Sequence, residues 1–513
     1  MTAKGGCSMK RHMIGLDIGT TAVKAVLFDT GGTYIDKETG EYPLHTPDAK
    51  TAEQDPDEIL ERTFETLRLL VTRNGCGGSI EFISFSSAMH SMILLDRKGE
   101  RLTECITWAD SRADKYADRL NEDDGIEIYH RTGTPIHPMS PLVKLLHFKN
   151  EEPELYMQIG KIMGIKEYVF ARISGRYAVD RSIASSMGMM NLETSEWDRE
   201  VLAMLELSPD QLPALVDTTD IFNMDGDAAG DIGISRETKL HIGASDGVLA
   251  NLGVNAIREG DIAITIGTSG AIRTVIDTPR TDEKMRTFCY HLTPDAFVIG
   301  GPVNSGGVIL RWVRDELCQQ EVGEADSCGR DPYEIMTEAA KDVPAGSNGL
   351  IFHPYLAGER APLWDSKAAG SFCGLTLSHE RKHMIRAAME GVVYNLYSVY
   401  LALREQMTEV HSIKASGGFA RSTLWKQLMA DVFGEVLHVP ESYESSAFGA
   451  CILGLYALDE MENLDEASRF IGEDEVYSPD EENYMKYQDI MSAYIEIGRS
   501  LGEFYGRMQE LRE

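Results

Sequence analysis

Two segments of this 513-residue chain repeat one another across about half its length. From Met13 the sequence reads MIGLDIGTTAVKAVLFDTGG, two β-rich runs flanking the turn Gly19-Thr20-Thr21. From Ile262 it reads IAITIGTSGAIRTVIDT. Ile14, Ile18, Gly19, Thr20, Asp29 and Thr30 recur as Ile262, Ile266, Gly267, Thr268, Asp277 and Thr278, each 248 residues further on. A glycine-turned hairpin duplicated at this spacing predicts two similar α/β domains that face each other and present their turns to a shared cleft. The clearest composition break, rich in Asp and Gly, runs from Asp217 to Glu237. It places the expected units at 1–244 and 245–513.

The turns have a specific chemistry. Glycine lets backbone N–H groups crowd around an anion, and the adjacent threonine hydroxyls add donors, so phosphate is the expected guest. Asp17 precedes the first turn by two residues and suits a hydrated Mg²⁺ beside a phosphate; Thr265 holds the equivalent place in the second copy. The chain has no G-x-x-x-x-G-K-[ST] loop and no G-x-G-x-x-G after a strand. With 49 Lys and Arg against 82 Asp and Glu the formal net charge is −33, which repels nucleic acid and anionic lipid. An anionic ligand must therefore be held by local cations or N–H groups. Eight scattered cysteines, Cys7 among them, form no C-x-x-C pair, as expected of reduced thiols in the cytoplasm. No apolar run approaches the roughly 20 residues of a bilayer span. The stretch after Lys10 and Arg11 is broken by Asp17, unlike a secretory leader.

Helices are expected from the capping box at Asp55 to Asn74, from His383 to about Gln406, from Ser422 to Phe433, and from about Glu481 to the end. Asp246, in Gly-Ala-Ser-Asp-Gly at the junction and before the run VLANLGV, is expected at a helix N-terminus on the cleft floor, where a general base for a substrate hydroxyl should stand. Met89 and His90 follow the strand EFISF at its ligand edge. Trp108, Asp110 and Arg112 combine an aromatic face, a carboxylate and a guanidinium, a composition suited to a polyhydroxylated ligand. His379-Glu380-Arg381-Lys382-His383 matches the zinc pattern H-E-x-x-H, with both imidazoles expected on one helical face. Arg386 and Met389 stand where its extension needs glycine and a third histidine, so the segment reads as a solvated helix entry.

Taken together these residues resemble the FGGY family of carbohydrate kinases over nearly the whole chain. One family signature is similar to Met139-Ser140-Pro141-Leu142-Val143-Lys144-Leu145-Leu146-His147, with His147 where tryptophan is usual. The other matches Gly370, Phe372, Gly374, Leu375, His383, Met384 and Ala387 to Glu390, with the first residues of the zinc-like segment in its variable spacer. The resemblance implies a pair of ribonuclease-H-like domains of the actin and hexokinase type, ATP and Mg²⁺, and transfer of a phosphoryl group to a sugar or sugar acid. Several stretches, HPYLAGERAPLW from His353 among them, are most similar to members acting on gluconate; xylulose, ribulose and glycerol are the alternatives. By resemblance Asp246 is the base, and Asp17 with Asp246 holds the metal through water. Thr20, Thr21 and Lys24 approach the transferred group, and Thr268, Ser269 and Gly270 cradle the ATP phosphates. Gly306, Gly307 and Arg311 flank the nucleotide, and Gly417, Gly418 and Ser422 line the adenosine. Met89, His90, Trp108, Asp110 and Arg112 face the sugar. Arg112, Lys144 and Lys166 are the candidates to neutralise a substrate carboxylate. A homodimer is an open expectation. The reading from another class is an ATP- and sugar-dependent conformational sensor, which need not keep a base at Asp246.

Overall fold

The hairpin predicted from Met13 forms the centre of a six-stranded sheet. His12–Ile18 pairs antiparallel with Ala22–Asp29, which pairs with Tyr34–Glu41. On its other side His12–Ile18 runs parallel to Ile80–Ser87, which runs parallel to Lys239–Ser245, with Ile221–Asn223 at the edge. The computed structural model describes residues 11–440, 444–472 and 474–511; Cys7 and Lys10 lie outside them.

The second hairpin builds a seven-stranded sheet in the same order. Asp261–Ile266 pairs antiparallel with Gly270–Ile276, which pairs with Ala296–Val303. Its other neighbour, Ser412–Gly417, is parallel, as is Leu437–Pro440 beyond it. Phe288–Thr293 and Asp474–Tyr477 close the two edges. Two sheets with matching strand order and direction are the duplication that the sequence repeat requires. The second turn closes one residue tighter: Ile266 stands opposite Gly270, whereas Ile18 stands opposite Val23. The equal spacing of Asp29 and Asp277 in sequence therefore does not place them at equal positions on their strands.

The expected helices form. Asp55 caps Pro56–Asn74 by accepting from the Asp57 N–H, and Gly75 ends it in the left-handed conformation. Arg381–Arg404, Thr423–Phe433 and Glu481–Glu510 follow, the first buried along most of its length. Among the described residues no helix is long and apolar enough to cross a membrane.

A helix pair joins the halves. Asp246–Gly253 leaves the end of the first sheet, and Ser445–Ala457 returns from the second half to lie against it and against His12–Ile18. The contact is backbone to backbone. A Cβ at Gly449 would stand 2.0 Å from the Leu249 carbonyl oxygen, one at Gly253 2.0 Å from that of Ser445, and one at Gly15 2.2 Å from that of Ala447. Val248, Leu249 and Phe448 complete a core with Met13, Phe28 and Phe82 of the first sheet and Phe288 and Val298 of the second. Gly449→Ala is accordingly expected to lower the calorimetric melting temperature, with a loss of about 1–3 kcal/mol from overpacking; an unchanged melting temperature would show that the helices separate freely.

Candidate active site

Parallel strands set their following loops at one edge, and three such loops meet in the first sheet. Asp17 is in register with Ser86, and Ser86 with Ala244, so Asp17, the Met89-His90 loop and Asp246 emerge side by side. Asp246 is half-buried at the first position of its helix, and its Oδ1 accepts from the Gly247 N–H at 2.6 Å. Burial, with the nearby Asp17 carboxylate adding to it, pushes its pKa up to about 6. Burial raises Asp17 as well, and Asp17 Oδ1 accepts from Ser86 Oγ at 2.6 Å. His90 sits at φ 67°, in the left-handed region that costs a non-glycine residue energy. Its Nδ1 donates to the Ser186 carbonyl at 2.9 Å, and burial pulls its pKa down to about 3. The ring is thus neutral with Nε2 as an acceptor.

Trp108 bridges to the first turn, its Nε1 donating to Thr20 Oγ1 at 2.9 Å. Thr21 is exposed beyond it. Asp110 and Arg112 are committed to each other: Arg112 Nε and Nη2 reach the Asp110 carboxylate at 2.9 and 2.7 Å, Nη2 also donates to Glu53, and Asp110 accepts the Ala52 N–H. Two carboxylates therefore already neutralise Arg112.

The two lysines are corrections. Lys144, 1% exposed, donates all three hydrogens inward, to the carbonyls of His90, Thr107 and Met139 at 2.7, 2.8 and 2.8 Å. Lys166 pairs with buried Asp180 at 2.6 Å and reaches the Ala244 carbonyl at 3.3 Å. Lys144 has no hydrogen left for a substrate carboxylate, and the charge of Lys166 is already met by Asp180, against the role the sequence reading assigned to both. Lys144 clasps the loops that carry His90 and Trp108, and Lys166 braces the strand that ends just before Asp246. Lys24 is paired as well, with Glu444 at 2.9 Å.

In the second sheet Ile266 is in register with Gly417 and Gly270 with Val303, so Gly267 to Ser269, Asn304 to Gly307, and Gly417-Gly418 gather at one end. Thr268 is exposed and Ser269 half-buried. The gathering is tight because glycine permits it. A Cβ at Gly306 would lie 2.6 Å from the Ser269 carbonyl carbon, and Gly417, at φ 109°, would bring one 2.2 Å from the Ile266 oxygen. The Gly307 and Val308 N–H groups donate to the Gly267 and Thr268 carbonyls at 2.8 and 3.0 Å. Gly418 faces open space, and Arg311 is exposed one turn into the helix Gly307–Trp312. Ser422 Oγ caps the next helix by accepting from the Trp425 N–H; this use of the side chain leaves its hydroxyl hydrogen for other contacts.

The zinc-like segment is the helix entry expected, but its histidines are not placed as expected. Its helix begins at Arg381, so His379 precedes it and the histidines do not share a helical face. Each Nδ1 accepts a local backbone N–H, from Thr376 and Glu380. The family-type signature around it is structural: buried Glu390 accepts from the Gly346 N–H, Ser347, Arg386 and Tyr487.

Two cations at the site were not singled out from the sequence. Arg273 and Arg360 are each 8% exposed, and both lie close enough to Asp246 to lower its pKa. A detectable signal existed for each: Arg273 is the charged residue in an otherwise uncharged strand, GAIRTVI, and Glu359-Arg360 interrupts HPYLAGERAPLW.

The comparisons agree with this architecture. Residues 12–253 match the N-terminal domain of the FGGY family of carbohydrate kinases, and residues 262–458 match its C-terminal domain. The chain is 52% identical to a gluconokinase of Bacillus licheniformis, over 97% of each chain. It is 30% identical to a xylulose kinase of Bacillus subtilis, over 95% of this chain and 96% of that one. The crystal structure of gluconate kinase from Lactobacillus acidophilus superposes with a TM-score of 0.91 at 38% identity, covering 97% of this chain and all of that one. The duplicated sheets, the strand-edge carboxylates and these matches together show that the chain belongs to the FGGY family of carbohydrate kinases.

Proposed function

We propose that this kinase transfers the γ-phosphoryl group of ATP to the terminal hydroxyl of D-gluconate, giving 6-phosphogluconate and ADP. The observation that carries the chemistry is the half-buried Asp246 carboxylate at the shared strand edge, its pKa raised to about 6. It is ionised at neutral pH yet basic enough to take a hydroxyl proton. Gluconate is favoured over xylulose by the gap between 52% identity to a gluconokinase and 30% to a xylulose kinase.

The hydroxyl donates to Asp246 and its oxygen attacks the γ-phosphorus in line. The proton passes to the carboxylate as the bond from phosphorus to the ADP oxygen breaks. Met89, His90 and Trp108 face the sugar, with His90 Nε2 accepting a substrate hydroxyl. Thr20 and Thr21 approach the transferred group; Thr268, Ser269 and Gly270 cradle the phosphates; Gly306, Gly307 and Arg311 flank the nucleotide, and Gly417, Gly418 and Ser422 line the adenosine. Closure of the halves over the site excludes water, the competing nucleophile.

The donor set fits Mg²⁺. Asp17 and Asp246 offer hard oxygen ligands that repel each other when no cation stands between them, and no group of three or more Asp, Glu, His or Cys converges among the described residues. A cation here would keep water and phosphate oxygens in its shell. Asp17 and Asp246 would hold it through water, and it would neutralise charge on the phosphates. The cytoplasm, with its ATP and reducing conditions, suits the free thiols among the described cysteines.

The test is ADP release with gluconate, xylulose, ribulose and glycerol. The reading predicts the highest kcat/KM for gluconate. A preference for xylulose would overturn the substrate, and release with none of the four would overturn the kinase mechanism.

A further inference from the structure

Gluconate carries a carboxylate that no group assigned so far holds, because Arg112, Lys144 and Lys166 are all engaged by the protein. Arg273 is not. It is buried, and its Nε and Nη1 have no hydrogen-bond partner within the protein. An unpaired buried guanidinium is costly unless something completes it. The chain makes room for it with two glycines: a Cβ at Gly300 would stand 2.9 Å from Arg273 Cγ, and one at Gly247 would stand 3.0 Å from Arg273 Nη2 and 3.0 Å from the Met89 methyl. The guanidinium and the Met89 methyl thus both crowd against the residue after Asp246.

Arg360 comes from a different loop of the same half. Its Nε donates to Asn304 Oδ1 at 2.8 Å and its Nη2 to the Val303 carbonyl at 3.1 Å, which fixes the plane. The guanidinium covers the Trp108 ring at 4.6 Å. Glu359, next in the chain, is the nearest acidic influence on Arg360, and its carboxylate also accepts from Asn304 N–H, Arg360 N–H, Ser305 and Asn395. Arg273 and Arg360 also repel one another, and Asp246 is the carboxylate they share. The feature that sets Arg273 apart is therefore not a surplus of charge but its lack of any hydrogen-bond partner in the protein for Nε and Nη1.

We propose that Arg273, supported by Arg360, is the specificity element of this kinase: together they receive the carboxylate of the sugar acid on the cleft wall supplied by the C-terminal half. This rests on the gluconate reading above. Substrate binding would then give the unpartnered Arg273 guanidinium its anion and draw the two halves together, since Met89 and Trp108 belong to the other half.

The test compares the full chain with Arg273→Gln, Arg273→Lys and Arg360→Gln by calorimetric titration with gluconate and with D-gluconamide, its neutral isostere, each variant being checked by thermal melting. The natural chain should bind gluconate about 100-fold more tightly than the amide, the discrimination expected of a desolvated charge pair. Arg273→Gln should cut that ratio at least about tenfold, Arg360→Gln should cut it less, and Arg273→Lys should restore part of it. A ratio unchanged in both glutamine variants overturns the assignment. So does a ratio unchanged while both ligands weaken and kcat falls, which would place Arg273 with Asp246 or the phosphoryl group instead. Should Arg273→Gln fail to fold, Arg273→Lys and Arg360→Gln decide by the same ratio. A natural chain that neither binds nor phosphorylates gluconate overturns the underlying substrate reading, and this inference with it.

Discussion

Asp246→Asn is expected to lower kcat about 10³-fold while leaving the dissociation constants of ATP and gluconate within a few-fold of their original values. The amide keeps the shape and can still contact the hydroxyl, but it cannot accept the proton. The same group sets a pH limb. With its pKa at about 6, kcat/KM for gluconate should fall tenfold per unit as pH drops below 6. A stability effect of opposite sign accompanies it. The folded pKa lies above the 3.8 of an unperturbed aspartate, so the folded chain holds this proton more tightly than the unfolded one. Ionised Asp246 is therefore destabilising above pH 6, and that penalty fades as pH falls from 6 towards 3.8. Asp246→Asn should melt higher than the natural chain at pH 7.5, with the gap closing in acid. A variant that keeps near-normal turnover, or that melts lower at pH 7.5, would contradict the role of Asp246 as a destabilised base.

Lys144→Met is expected to act on both stability and substrate affinity. Three buried carbonyls, those of His90, Thr107 and Met139, would lose their donor at once. Each orphaned acceptor costs on the order of 1–3 kcal/mol, so a loss of several kcal/mol follows unless water enters. The same three carbonyls hold the segments that carry His90 and Trp108. Their release should raise the KM for gluconate and lower kcat/KM about 100-fold, because small displacements of positioning groups are amplified in the rate. The KM for ATP should change little, since the turns of the second sheet do not touch Lys144. Were Lys144 a substrate ligand instead, the variant would lose gluconate affinity without losing melting temperature. Calorimetric melting and steady-state kinetics on one preparation separate these outcomes.

What the sequence could reveal depended on whether a residue's neighbours were local. The hairpin repeat was legible because a tight turn demands glycine at a fixed place whatever surrounds it, and the two sheets share the strand order that this repeat implies. The helix starting at Asp246 was legible for a similar reason: a polar residue after a strand and before an apolar run marks an N-terminus. The lysines were misread because a sequence shows a charge but not its partner. Lys166 finds Asp180 across a loop, and Lys144 finds three carbonyls from three segments. Arg273 was passed over for the converse reason, since it is the charged position of a strand that is buried throughout, and only the fold brings it beside Gly247 and Met89. The slip of one residue between the two hairpins was likewise invisible, because it is set by how tightly each turn closes.

In the reaction proposed here ATP loses its terminal phosphoryl group to the far hydroxyl of gluconate at the carboxylate of Asp246. Phosphorus NMR of a reaction mixture containing the full chain, ATP, Mg²⁺ and gluconate follows that transfer directly. A phosphomonoester on carbon 6 of gluconate should accumulate one for one with ADP. Free inorganic phosphate in place of the ester, or an ester on another carbon, would contradict it.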